Sequence, residues 1–421
     1  MDSYIAGTGI TPGGFMYYQD IAAIAPFDVL REIQYPNSAF QLGLNFSAGD
    51  ADLDKVATGG YDAQIDLLAA QLRTTDRPVF LRIGYEFDGI HNHYTPEKYI
   101  AAYRHVVSRL RWDGVTNVAF VWHSYANQTY GGHPISAWYP GDRYVDWMAV
   151  SIFWQAYNGG AEMSYANTVA DFADAQNKPL MVAESTPAGS FTPTANADSL
   201  WSGWYQPVID FVNARGVKAW SYINDNWEDI PMWQGQGWGD ARIEANAALK
   251  SRWTSEVGQT KYLKGSPGLF CASLGYPSTA PYDVTDELDG VNNMLTHSGN
   301  LVIDRYDPTL FEGDPARLKR NAAQSGNSAT WRTPNVSTVS AVGYVYTNDA
   351  YADLSFASSP DGVVYTTLTP SANSTPAGLW DRVEYSMPVP PGTAYVRVTF
   401  PNNTQQPYTP QLGQMVFRTE P

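Results

Sequence analysis

The sequence predicts a two-part α/β chain: a (β/α)8 barrel over residues 1–258, then a β-sandwich of jelly-roll type over residues 259–421. Three observations carry this reading. Apolar strand-like runs alternate with amphipathic helical stretches through the first part, which calls for a parallel sheet. That part is about 255 residues long, the usual size of a (β/α)8 barrel. Beyond a linker at Lys264–Gly268, helical periodicity gives way to short alternating runs separated by Pro, Ser, Thr and Asn.

Tyr4–Ile10 reads as a first strand ending in a Gly-rich loop. Gly7-Thr8-Gly9 lacks the third glycine of a dinucleotide-binding turn, so a doubly wound sheet has little support. Phe27–Ile33 fits a strand or a helix equally well, whereas Ala39–Phe46 is a better strand. Tyr61–Arg73 places Ile65, Leu68, Ala69 and Leu72 on one helical face. It delivers the chain to Pro78–Gly89, a buried strand that ends on a carboxylate. Thr95 then reads as an N-cap, with Pro96 in the first helical position. Further strands follow at Asn117–His123, Tyr144–Trp154, Lys178–Glu184 and Val217–Asn224, with helices at Tyr165–Asp174, Tyr205–Ala214 and Asp240–Glu256. In the second part, strands are predicted at Val339–Tyr346, Ala352–Phe356, Val363–Leu368, Arg382–Met387, Tyr395–Phe400 and Gln414–Phe417. Ser359–Gly362 and Pro390–Gly392 read as turns between them.

Composition narrows the partners. With 26 Lys and Arg against 42 Asp and Glu, the net charge of -16 argues against nucleic acid or an anionic membrane. The lone Cys271 excludes an intramolecular disulfide and a cysteine metal site. No leader pattern stands at Met1–Tyr4, but the Ser, Thr, Asn and Gly richness and the scarcity of cysteine predict a secreted protein. Twelve of the 14 Trp precede residue 258, many beside Asn, Asp, Gly or Gln. Aromatic faces next to polar groups suit sugar rings, so a polysaccharide or oligosaccharide is the expected partner.

Glu86 and Glu184 each close an apolar strand. Burying a charge is costly unless it is paired, so two such residues on one barrel rim point to chemistry. Two carboxylates across a cleft suit glycoside hydrolysis: one protonates the leaving oxygen, and the other attacks the anomeric carbon or activates water. Arg82, four residues before Glu86 on the same strand face, can hold a carboxylate ionised.

Arg82–Gly89, Tyr139–Trp147 and Pro179–Glu184 resemble the (β/α)8 hydrolases of glycoside hydrolase family 26, whose best-known members are β-mannanases, within the retaining clan A. The resemblance covers roughly residues 60–256. It implies a retaining mechanism with Glu86 as acid/base at the end of the fourth strand and Glu184 as nucleophile at the end of the seventh. It also implies an aromatic floor under the central subsite, for which Trp220 or Tyr222 is placed. Mannanases of that family carry His before the acid/base. This chain has Tyr85, which leaves the sugar open among mannan-like glycans, β-xylan and other β-glycans.

His91 and His93 on the loop after Glu86 are candidates for substrate contact; no third ligand completes a metal site with them. Trp122 and His123 at one strand end, Trp154 and Gln155 at another, and Asn224 and Trp227 after the last are expected at the cleft, with Trp233 and Trp238 as outer platforms. Asp225 or Glu228 would be a rival acid. A non-catalytic glycan-binding barrel, or a polysaccharide lyase or transglycosylase, are the competing classes. Catalysis is expected to need no cofactor. The sandwich would bind carbohydrate or brace the barrel, and Asp283–Asp289 offers oxygen ligands for a structural calcium without a specific loop motif.

Overall fold

The computed structural model describes residues 1–27, 34–75, 77–127, 130–274, 281–291, 293–321, 327–347, 354–401 and 408–420. Residues 28–33, where the sequence left strand and helix open, lie outside them, as do residues 352–353 of one expected sandwich strand. The chain forms two compact units: Met1–Val107 with Asn117–Pro277, and Ser278–Pro421 with Ser108–Thr116.

The first unit is an α/β domain around a curled, wholly parallel sheet of seven strands. In sheet order these are β1 (Gly14–Asp20), β2 (Ala39–Asn45), β3 (Val79–Ile83), β4 (Val118–Ser124), β5 (Trp147–Ile152), β6 (Leu180–Ser185) and β7 (Ala219–Trp220). The ladder of β7 is short, but Ser221 N and Ile223 N go on donating to Val182 O and Ser185 O of β6, both at 2.8 Å. Curling brings β2 against β6 and β7 across the interior. Gln41 Nε2 donates to Ala183 O at 2.6 Å, and Ser221 Oγ donates to Gln41 Oε1 at 2.7 Å. Below the site, Val121, Ala149, Met181 and Ala183 fill the interior, with Phe80, Trp147 and Ala219 against them.

The helices follow their apolar stripes. In α3 (Asp62–Thr74), preceded by α1 (Asp2–Thr8) and α2 (Asp50–Ala57), the predicted Ile65, Leu68, Ala69 and Leu72 are all fully buried. Burial of each of Ile65, Leu68 and Leu72 is worth roughly 1.5–3 kcal/mol. After these come α4 (Pro96–Trp112), α5 (Ser164–Ala175), α6 (Gln206–Ala214) and α7 (Ala247–Val257).

Three expectations are corrected. Residues 2–8 are helical rather than a strand: Gly9 at φ 72 is a left-handed C-cap, and Tyr4 is buried with its hydroxyl accepting from Trp253 Nε1 at 2.8 Å. No described strand of the sheet precedes β1, so Glu86 follows the third strand and Glu184 lies on the sixth, each one short of the expected count. Thr95, by contrast, directly precedes the helix with Pro96 in its first position, as read, its carbonyl accepting from Tyr99 N at 2.9 Å; its hydroxyl bonds to Asp50, at 3.1 Å from each carboxylate oxygen. The last helix starts at Ala247, where the Asn246 side chain accepts from Ala248 N and Leu249 N.

The second unit is an antiparallel ten-stranded sheet, nearly closed as a sandwich, around Trp331, Val339, Phe356, Met387, Val398 and Phe417. Its spine pairs Ser328–Tyr346 with Trp380–Thr399. Pro390–Gly392, expected as a turn between strands, lies inside the second of these. There the ladder skips from Pro388 to Thr393, and Gly392 takes φ 81, so the segment is a bulge. In the loop considered for calcium, Asp286 already accepts from Trp331 Nε1, Leu288 N and Asn293 Nδ2. Among the described residues, no group of three or more His, Cys, Asp or Glu could hold a metal ion, and no helix is long and apolar enough to cross a membrane.

Candidate active site

Glu86 sits on a turn that only a braced backbone would hold. Just past β3, Gly84 takes φ 53, and a Cβ there would stand 3.0 Å from rings of Phe46 and Tyr99. Two residues on, Glu86 itself has φ 55, a left-handed conformation costing a non-glycine residue roughly 1–3 kcal/mol. Asn92 Nδ2 compensates by donating to Tyr85 O at 2.9 Å and Glu86 O at 2.8 Å. Gly89 N also donates to Glu86 O, and Phe87 N to His123 O. Asp88 fastens the turn to the end of β4, accepting from Ser124 Oγ at 2.6 Å and Tyr125 N at 2.7 Å. Burial pushes the Asp88 carboxyl up to about 7, against the pull of those two hydrogen bonds.

Glu184 reaches the interior through a break in strand register. Along β5 and β6, Ala149 pairs with Met181 and Val150 with Val182, but Ser151 pairs with Glu184. Ala183 is the extra residue, a β-bulge that turns Glu184 inward beside Ser151. Without it, strict alternation from Met181 would send Glu184 to the outer face.

The two glutamates are linked through one buried polar chain. Arg82, fully buried, forms an ion pair through Nη1 with Glu184 Oε1. The same Nη1 lies 3.3 Å from His123 Nδ1, and His123 Nε2 lies 3.0 Å from Ser151 Oγ. Ser151 Oγ donates to Glu86 Oε1 at 2.5 Å, and His91 Nε2 lies 2.9 Å from Glu86 Oε2. Burial raises the Glu184 carboxyl and Glu86 adds to the rise, while Arg82 opposes both. For Arg82, burial favours losing the charge, but Glu184 outweighs it and holds the guanidinium above its ordinary value. A buried cation with this carboxylate against it is tolerable only if the carboxylate is charged, so we take Glu184 as ionised. Burial and the Arg82 charge hold His123 well below its ordinary value, as neutral imidazole. Burial would also lower His91, but the Glu86 hydrogen bond and the surrounding carboxylates raise it.

The structure thus gathers Glu86, Glu184, Arg82, His123 and His91 into one cluster. Tyr85 joins them half-buried, its ring 5.0 Å from the Arg82 guanidinium and stacked on His123. His93 is exposed on the same loop. Trp154, 42% exposed, stands beyond the end of β5 against Trp238, which also packs on Trp227 and Trp233. The remaining calls are not brought to the glutamates. Trp122 is fully buried behind the turn, stacked on Phe87 at 4.6 Å with Nε1 donating to Trp138 O. Trp220 packs on Trp253 of α7 and donates to Ser185 Oγ; the Tyr222 hydroxyl donates to Ala241 O. Both face the helices, because the alternating Ala219 and Ser221 take the interior. Asn224 is occupied with Glu244 and Ile243 N.

Sequence reasoning missed Ser151, Asp88, Asn92 and Gly43. Gly43 lies opposite Arg82 on β2, and a Cβ there would stand 3.0 Å from Arg82 Nη2, 3.0 Å from Tyr18 and 3.1 Å from Tyr85. A polar residue within a buried strand, such as Ser151 in Met148–Ile152, was the available signal.

A parallel α/β sheet with two buried glutamates at the C-terminal ends of its strands is the framework of the two-carboxylate glycosidases. Residues 44–229 match the model of glycosyl hydrolase family 26, and the chain belongs to that family. It is 31% identical over 312 residues to the β-1,3-xylanase TXYA of a Vibrio species, covering 66% of either chain. It is 32% identical over 266 residues to a β-1,3-xylanase of an Alcaligenes species, covering 58% of this chain and 55% of that one. The chain therefore spans somewhat under two thirds of the length of these relatives. In fold it resembles a modular endo-β-1,4-mannanase of Cellulomonas fimi, with a TM-score of 0.51 at 16% identity over 96% of this chain and 88% of that one.

Proposed function

We propose that the chain is an endo-acting glycoside hydrolase that cleaves a β-1,3-linked xylan with retention of configuration. The observation that carries the chemistry is the pairing of Glu184 with Arg82 while Glu86, on the same inner rim, is held apart on Ser151 and His91. Glu184 attacks the anomeric carbon as Glu86 protonates the departing oxygen, and Glu86 then takes a proton from the water that releases the sugar. The similarity to two β-1,3-xylanases and Tyr85 in place of the mannanase histidine favour xylan over mannan. The proposal extends to a cofactor-free reaction, a secreted protein, closure of the curled sheet as a (β/α)8 barrel, and a jelly-roll sandwich that serves as an accessory to it.

Reducing-end release is the test, using β-1,3-xylan, β-1,4-xylan and β-1,4-mannan. β-1,3-Xylan should be cleaved fastest; cleavage of mannan alone would reject the substrate. Glu184→Ala should lose activity and recover turnover of an activated aryl glycoside with added azide, giving a product of inverted configuration. Near-normal turnover without azide would reject Glu184 as nucleophile.

A further inference from the structure

The geometry points to a one-way hydrogen-bond relay, Arg82 to His123 to Ser151, that ends on Oε1 of Glu86 and leaves Oε2 as the oxygen that carries the mobile proton. This deepens the hydrolase reading and rests on Glu86 as its acid/base. Neither His123 nor Ser151 touches the reacting atoms; both are positioning residues.

Direction is set from the Arg82 end. A guanidinium has only N–H donors, so where Arg82 Nη1 meets His123 Nδ1 at 3.3 Å, the imidazole nitrogen must accept. A neutral imidazole that accepts at Nδ1 carries its hydrogen on Nε2. That N–H is aimed at Ser151 Oγ, 3.0 Å away. With one lone pair accepting that N–H, the Ser151 hydroxyl turns its own hydrogen to Glu86 Oε1, 2.5 Å away. All four side chains are at least nine-tenths buried, so no water competes for these directions.

The consequence is a carboxyl with two unlike oxygens. Oε1 receives the Ser151 hydrogen and can take the mobile proton only if that hydroxyl swings its hydrogen away. Oε2 faces the His91 ring nitrogen, which can donate to it when the carboxyl is ionised or accept from it when the carboxyl is protonated; the His91 side chain is 47% exposed, so Oε2 lies on the open side where a glycosidic oxygen would arrive. When the sugar C–O bond breaks, the Oε2 proton passes to the departing oxygen as Glu184 bonds to the anomeric carbon. Ser151 meanwhile stabilises the carboxylate that forms. Because the relay starts on the cation paired with Glu184, it ties the orientation of the acid/base to the charge of the nucleophile. The other groups bearing on Glu86 are Glu184, Asp88 and His91, with Tyr85 before it and Tyr125 from the end of β4.

Ser151→Ala in the full chain tests this. With the donor gone the ionised carboxylate is less favoured, so the alkaline limb of kcat/KM on β-1,3-xylan should move up by about one pH unit. kcat should fall about tenfold, KM should change little, and an aryl glycoside with a good leaving group should be less affected. An unmoved limb in an active, normally folded variant overturns the relay. Nitrogen NMR of histidine-labelled protein, with His123→Gln to assign the signal, should show His123 neutral with hydrogen on Nε2 from about pH 5 to about pH 8. A hydrogen on Nδ1, or an imidazolium, overturns it even if the wild type cleaves no xylan. Inactivity of the wild type would reject the hydrolase reading alone.

Discussion

Asp88→Asn offers the most quantitative check on the turn that carries Glu86. Asp88 is fully buried, and its carboxyl is raised from 3.8 to about 7. Between those values the native state keeps a proton that the unfolded chain has already released. Asp88 therefore favours folding fully below pH 3.8, and that contribution is lost as pH climbs to about 7. About three units at 1.36 kcal/mol each give a loss of ~4 kcal/mol across the window. The asparagine variant does not titrate. Its amide oxygen can still accept from Tyr125 N, but its N–H2 stands where the Asp88 oxygen accepted from Ser124 Oγ, so the Ser124 hydrogen loses its acceptor. That mismatch costs about 1 kcal/mol at every pH. The variant should be the less stable protein at about pH 4 and the more stable one at about pH 8, as read by urea unfolding followed through tryptophan fluorescence. Curves that stay parallel over that range would refute a raised Asp88.

Other perturbations separate the remaining parts. Arg82→Met leaves Glu184 buried without its cation and should cost about 3–5 kcal/mol of stability together with nearly all activity; equal activity would remove Arg82 from the mechanism. Gly43→Ala forces the Arg82 guanidinium or the two tyrosine rings to give way by a few tenths of an ångström, and kcat should fall about tenfold while stability drops by ~1–3 kcal/mol. Trp154→Ala should raise KM for polysaccharide about tenfold, more than it lowers kcat, because it removes an exposed aromatic platform beyond the glutamates.

Much of the first unit was legible because burial imposes a period. The α3 stripe and the runs at Pro78 and Lys178 declare helix and strand through spacing alone. Glu86 and Glu184 stood out because a charge at the end of an apolar run needs a reason. The faces of the strands were not legible. In a sheet packed on both sides, apolar residues line both faces, so nothing in Val217–Asn224 says that Trp220 and Tyr222 face the helices while Ala219 and Ser221 face inward. Trp122 was misplaced for the same reason. His123 and Ser151 gain their meaning from partners on other strands, which one-dimensional spacing does not show. The helix at residues 2–8 owes its end to Gly9, whose left-handed cap looks in sequence like a strand-closing glycine.

The bulge at Ala183 acts as a frame shift written into a strand. Upstream of it, β6 is read in one phase and supplies core; downstream the phase is inverted and the strand supplies a nucleophile. Were the ladder to close without the bulge, pairing Ala183 with Ser151, no functional group would be lost, yet Glu184 would turn toward the helices and Ser185 would come inward in its place. The catalytic identity of β6 therefore rests on pairing register as much as on residue type. A relative that keeps the glutamate but pairs these strands one residue out of step would keep the motif and lose the site.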